Sequence, residues 1–138
     1  MLETNISIRV RYAETDQMGV VYHANFLPWL ESARIQALDN LGYPYKRLEA
    51  DGYLLPVLEV NLKYHQPARF DDRLSVTAVL AQPPGVRFRI SYRVERDGTL
   101  LCEGETRHAF LGRDYRPCRP PSALKEAWQA AIDRSASR

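Results

Sequence analysis

Cysteine is scarce in this chain of 138 residues: there are two, Cys102 and Cys118, and they form no CxxC pair. That excludes a disulfide scaffold and a cysteine-built zinc site. The three histidines, His23, His65 and His108, show no HxxxH spacing, so neither a metal nor a cofactor is expected. No apolar run approaches the roughly 18 residues of a membrane-spanning helix. The opening Met1-Leu2-Glu3-Thr4-Asn5 lacks the basic start and apolar stretch of a secretory leader. A strong charge of one sign is missing too: 19 Lys+Arg face 17 Asp+Glu, a net of +2. A protein whose main task is to grip a phosphate backbone is far more basic. These absences predict a reduced, cytoplasmic protein that neither binds nucleic acid nor inserts into a membrane.

What is present is the composition of an ordinary globular chain, 45% hydrophobic and 26% charged, at a length suited to one domain. The basic surplus is confined to the end of the chain, so residues 1–112 read as the domain and 113–138 as its C-terminal extension. The Arg113–Arg119 stretch reads as a surface strap or a loose end.

Period-2 alternation is the strongest pattern. Ile6, Ile8, Val10 and Tyr12 alternate with polar residues, as do Leu58, Val60, Leu62 and Tyr64. Leu74 to Leu80, Val86 to Val94, and Leu100 to Leu111 continue it. Five strands, most of them with one apolar face and one wetter face, predict an antiparallel sheet covered on one side. Asp97-Gly98 is a two-residue hairpin signal, so the last three strands read as a meander. One long helix fits residues 25–41, with Leu27, Leu30, Ala33, Ala37, Leu38 and Leu41 on one stripe. Asn25 is placed to cap it, Pro28 lies in its first turn and Gly42 just past its end. A shorter helix is expected over residues 122–135, capped by Ser122. The predicted class is α+β: a five-stranded antiparallel sheet wrapped around one long central helix, plus a short C-terminal helix. Tyr22, Trp29 and Tyr64 fit either a contact surface or the core.

The unusual segment is Ala13 to Asn25, a loop that carries Asp16, Gly19 and His23 straight into a helix start. Helix N-termini present N–H groups without intrahelical partners and favour negative charge. A carbonyl oxygen becoming an oxyanion is stabilised by such donors. An Asp beside it can attack the carbonyl or activate water. Taken alone, these residues also suit a blander role: Asp next to Gly in a turn, a structural His23, a packed Tyr12 and a solvated Glu14.

The run Arg9-Val10-Arg11-Tyr12-Ala13-Glu14-Thr15-Asp16-Gln17-Met18-Gly19-Val20-Val21-Tyr22-His23-Ala24-Asn25-Phe26 resembles the signature of the 4-hydroxybenzoyl-CoA thioesterase family of hotdog-fold proteins. The likeness continues through Trp29 to Arg34 and again at Tyr64 to Asp72, and is nearest to the YbgC-like bacterial acyl-CoA thioesterases. The resemblance implies a hotdog fold. It also implies hydrolysis of an acyl-CoA to free acid and coenzyme A, by a homodimer or homotetramer with its sites at subunit interfaces. It assigns the catalytic carboxylate to Asp16, places a backbone N–H near His23 against the thioester carbonyl, and gives supporting roles to His23 and Tyr12. Asp16 then either forms an acyl-aspartyl anhydride or acts as general base on water; both stay open. Gly19 and Val20 are expected to border the substrate. Arg87 and Arg89, alternating on one face of the fourth strand, are candidates for the phosphates of the nucleotide, against the plainer reading of a solvated sheet face. The competing readings are an acyl-carrier-protein thioesterase, a dehydratase of the same fold, and an acyl-CoA-binding protein without turnover.

Overall fold

The computed structural model describes residues 1–137. Five strands form one antiparallel sheet: β1 (Leu2–Arg9), β2 (Val57–Tyr64), β3 (Arg73–Leu80), β4 (Arg87–Arg96) and β5 (Thr99–Ala109), in the spatial order β1-β3-β4-β5-β2. The meander β3-β4-β5 is as the turn signals predict. Asp97 and Gly98 both take positive φ, 50° and 81°, as a tight hairpin requires. β1 starts earlier than its alternation suggests and stops at Arg9, because Tyr12–Glu14 turns into a short 3-10 helix.

The long helix α1 (Phe26–Leu41) packs on the inner face of the sheet, against β1 and β3. Ala33 and Ala37 are buried in its contact stripe and let the helix approach closely. The stripe differs from the expected one in three places. Leu27 points out and is exposed, while Trp29 and the charged Arg34 are buried. Asn25 does not cap the helix with its side chain; its Nδ2 donates to the Glu14 carbonyl at 2.8 Å. Gly42 closes the helix in the left-handed region at φ 84°. A six-residue helix, α2 (Tyr45–Ala50), follows where no element was expected, with Leu48 buried beneath it.

α3 (Ser122–Ala136) packs against α1 and β1 through Leu124 and Ala131. Ser122 is its first helical residue and makes no capping hydrogen bond, the N-cap position being Pro121. The Arg113–Arg119 segment folds back as a turn: Gly112 N donates to Arg116 O, and Cys118 N donates to Phe110 O. No helix among the described residues is long and apolar enough to cross a membrane.

Because α1 lies over β1 and β3, the inner face of β2 is left open. The alternation in β2 predicts a buried row of Leu58, Val60, Leu62 and Tyr64, but Val60 and Tyr64 are exposed on that face and Leu58 lies beside the outer-face arginines. A register shift between Val57 and Glu59 adds to the departure. β2 is an edge strand with its outer backbone groups unpaired in the sheet. A seam therefore runs between α1 and β2.

Candidate active site

Asp16 sits in a small hairpin. Thr15 and Val21 form an antiparallel bridge, Asp16 N donates to Val20 O at 2.9 Å, and Gly19 N donates to Asp16 O at 3.0 Å. Gly19 takes φ 77°, a conformation that strains other residues. The Met18 N–H donates to Asp16 Oδ1 at 2.9 Å. One carboxylate oxygen is thus anchored by the loop's own backbone, and Oδ2 has no protein partner among the described residues.

The loop is held from behind by Glu14, which is buried rather than solvated. Its Oε1 accepts from the Arg11 N–H at 2.7 Å and its Oε2 from the Trp29 indole at 2.8 Å. Its carbonyl accepts from the Tyr22 N–H at 2.9 Å and from Asn25 Nδ2 at 2.8 Å. Four donors from both sides of the Asp16 hairpin meet on this residue. The sequence held one local sign of it, the three-residue spacing from Arg11, whose N–H the Glu14 carboxylate accepts at the start of the Tyr12–Glu14 turn. Its partner Trp29 is too distant in sequence to be read.

The turn His23–Asn25 leads directly into α1. The His23 and Ala24 N–H groups donate to no protein acceptor among the described residues, the orphan donors that a helix start leaves. Tyr64, at the end of β2, donates its hydroxyl to the His23 carbonyl at 2.8 Å and so ties the edge strand to this turn. Burial raises the Tyr64 phenol above its ordinary range, which keeps it a donor.

These parts enclose a cavity of about 320 Å³. Asp16, Val20 and His23 line it, with Phe26 and Tyr64 as aromatic walls and Pro67-Ala68 as the far rim. The arrangement pairs a half-free carboxylate with unpaired backbone donors across an apolar floor. That suits attack on, or water delivery to, a polarised carbonyl.

The other expected site residues lie elsewhere. Tyr12 is 76% exposed, its ring edge-on to Phe70 at 5.5 Å, and is not a wall of the cavity. Arg87 and Arg89 are exposed on the outer face of the sheet, beside Arg107 and Leu58 in a separate depression. Arg89 pairs with Glu105 at 3.6 Å. That depression is at the Val57 end of β2 and the Asp16 cavity at the Tyr64 end, roughly 23 Å apart along the strand.

A long helix packed on a five-stranded antiparallel sheet is the architecture of the hotdog thioesterases. The chain belongs to the thioesterase-like superfamily, whose profile matches residues 10–128. YneP of Bacillus subtilis, a putative acyl-CoA thioesterase, is 32% identical over 130 residues, 93% of this chain and 94% of the relative. Among solved structures, a hypothetical protein of Thermus thermophilus is 43% identical with a TM-score of 0.87, over 94% of this chain and 97% of that one. The DHNA-CoA thioesterase of Staphylococcus aureus is 27% identical with a TM-score of 0.89, over 99% and 95%.

Proposed function

We propose that the protein hydrolyses acyl-CoA thioesters, with Asp16 as the catalytic carboxylate. The observation that carries this is the shared cavity: Asp16, whose Oδ2 has no protein partner among the described residues, and His23, whose N–H is unpaired there, line one mainly apolar space. A thioester carbonyl seated against the His23 N–H is polarised by the helix start, and the negative charge that develops on its oxygen meets donors already in place. Asp16, anchored through Oδ1, presents Oδ2 either to the carbonyl carbon or to a water beside it. The products are the free acid and coenzyme A. A thiolate leaves readily, so no strong general acid is needed. The names of the relatives, an acyl-CoA thioesterase and a DHNA-CoA thioesterase, support this reaction type.

The acting form we propose is a homodimer paired along β2. The support is the open edge strand with exposed Val57, Leu58, Val60 and Tyr64. A two-fold antiparallel pairing sets the Tyr64 end of one strand beside the Val57 end of the other. It sets Arg87 and Arg89 of one subunit, on the outer face of the joined sheet, level with the end of β2 that carries the second subunit's Asp16 cavity, and the nucleotide phosphates of coenzyme A need cations.

The test is thiol release from a panel of acyl-CoAs by wild type and Asp16→Asn. The variant keeps its circular dichroism spectrum and loses about 10²–10⁴-fold in kcat, the range for a positioned acid–base group. Near-normal turnover by Asp16→Asn overturns the assignment.

A further inference from the structure

Arg34 is the one charged side chain in the contact stripe of α1, and only 9% of it is exposed. A buried guanidinium is costly unless an anion faces it. Here no carboxylate among the described residues forms an ion pair with it within 4 Å. Its protein partner is the Tyr92 hydroxyl, which accepts from Nη1 at 3.1 Å. The Tyr92 hydroxyl is hydrogen-bonded in turn to Thr106 Oγ1 at 2.7 Å, and Thr106 Oγ1 to His108 Nε2 at 2.8 Å. Arg34 can only donate, so Tyr92 accepts from it, and the hydroxyls and the uncharged, buried imidazole of His108 that continue the chain carry no charge. The chain thus engages one arm of the guanidinium and supplies no negative charge.

Arg34 also lines a cavity of about 340 Å³ between α1 and β2. Its other walls are mainly apolar: Leu27, Leu30, Val57 and Val60. Glu31, three residues before Arg34 on α1, lines it too, exposed and without an ion pair to Arg34. This cavity follows the Asp16 cavity along the same seam: Phe26 and Tyr64 wall the first, and Leu27 and Val60 the second. From Phe26 to Arg34 the helix advances about 12 Å at 1.5 Å per residue.

We infer that Arg34 is a specificity-determining residue that receives a carboxylate at the far end of the acyl group, so that the substrates are half-thioesters of medium-chain dicarboxylic acids. The apolar walls take the methylene chain. The low dielectric around the guanidinium strengthens its hold on a carboxylate. A methyl-ended chain of equal length leaves the buried charge unanswered, so the site discriminates by what it fails to satisfy. This substrate class rests on the thioesterase reading above.

The experiment compares kcat/KM for adipoyl-, suberoyl- and sebacoyl-CoA with that for hexanoyl-, octanoyl- and decanoyl-CoA. Wild type favours the carboxylate-ended member of a matched pair. In Arg34→Met that preference ratio falls by about 10- to 100-fold, the worth of a charge-assisted hydrogen bond, mainly through KM; Arg34→Lys restores part of it. A ratio that is unity in wild type, or unchanged in Arg34→Met, overturns the inference and leaves the thioesterase reading intact. If wild type cleaves no thioester at all, that reading fails, and calorimetry with free suberate decides about Arg34 alone. Binding to wild type that Arg34→Met abolishes supports the carboxylate site; no binding to wild type overturns it. If Arg34→Met does not fold, the comparison is made with Arg34→Lys and Arg34→Gln, whose loss of preference must follow loss of the planar fork.

Discussion

The Glu14 carboxylate accepts a hydrogen bond from the Trp29 indole at 2.8 Å, and both side chains are buried. The first belongs to the loop that carries Asp16 and the second to α1. This bond fixes the Asp16 hairpin against the helix whose first turn faces it. Glu14→Gln replaces one acceptor oxygen by a donor and strands either Trp29 Nε1 or the Arg11 N–H. The expected cost is about 1–3 kcal/mol in urea unfolding, with a lower kcat because the Asp16 loop shifts. In a double-mutant cycle with Trp29→Phe, the coupling energy is about 0.5–3 kcal/mol. Additive single effects would show that the two residues act separately.

Glu14 also marks where sequence reading stops. β1, β3, β4 and β5 were legible because one face of each packs into the core, and alternation records that directly. α1 was legible from its stripe and from Gly42. The Asp16–His23 pairing was legible because both lie in one short loop. By contrast, Glu14 looks like any loop carboxylate until Trp29, on another element, is brought to it. Arg34 looks like a break in an apolar stripe until Tyr92 and Thr106 arrive from the sheet. The exposed face of β2 reads as buried because alternation records a residue's face, and cannot tell whether the covering helix extends that far. α2 has six residues, too few for a period to show.

Arg87 and Arg89 lie at the opposite end of β2 from Asp16, and their proposed task is to hold nucleotide phosphates across a subunit boundary. Arg87→Ala then raises KM for an acyl-CoA several-fold, and the double variant with Arg89→Ala about tenfold, the size of partly solvated phosphate contacts. The penalty vanishes on an acyl-pantetheine thioester, which carries no nucleotide. Steady-state kinetics on the two substrates read this out. Equal losses on both return these arginines to the solvated face of the sheet, where Arg89 meets Glu105.

Gly104 sits where β5 is flanked by β4 and β2, opposite Tyr92 and Leu62. A Cβ there would lie 1.9 Å from the Asn61 carbonyl oxygen and 2.7 Å from Leu62 Cδ2. The carbonyl is backbone and cannot give way unless β2 moves. Gly104→Ala is expected to cost at least about 1–3 kcal/mol, as overpacking does. It also disturbs the site, since β2 carries Tyr64 and its hydrogen bond to the His23 carbonyl. A lower urea midpoint together with a reduced kcat checks both parts. A shift in stability alone would show that β2 yields locally without moving its Tyr64 end.

His108 is fully buried, and its pKa is pushed down to about 4 from an ordinary 6.5, first by burial and then by the charge of Arg34. The folded state therefore holds it neutral over a range in which the unfolded chain binds a proton. Stability rises with pH wherever the unfolded state binds more protons. The His108 contribution is complete above pH 6.5, declines as pH falls from 6.5 to about 4, and changes no further below that. The full span is about 3 kcal/mol. Urea unfolding at pH steps from 7.5 to 3.5 measures it, and His108→Gln isolates it, because the exposed carboxylates Glu3 and Asp71 titrate alike in both proteins. Glutamine keeps an acceptor for the Thr106 hydroxyl but cannot take up the proton. The difference between the two curves should grow as pH rises from 4 to 6.5 and stay flat outside that window. A difference that is constant across the range would mean that His108 is protonated to the same extent in the folded and unfolded chains, and that the Arg34–Tyr92–Thr106 chain does not end on a neutral imidazole.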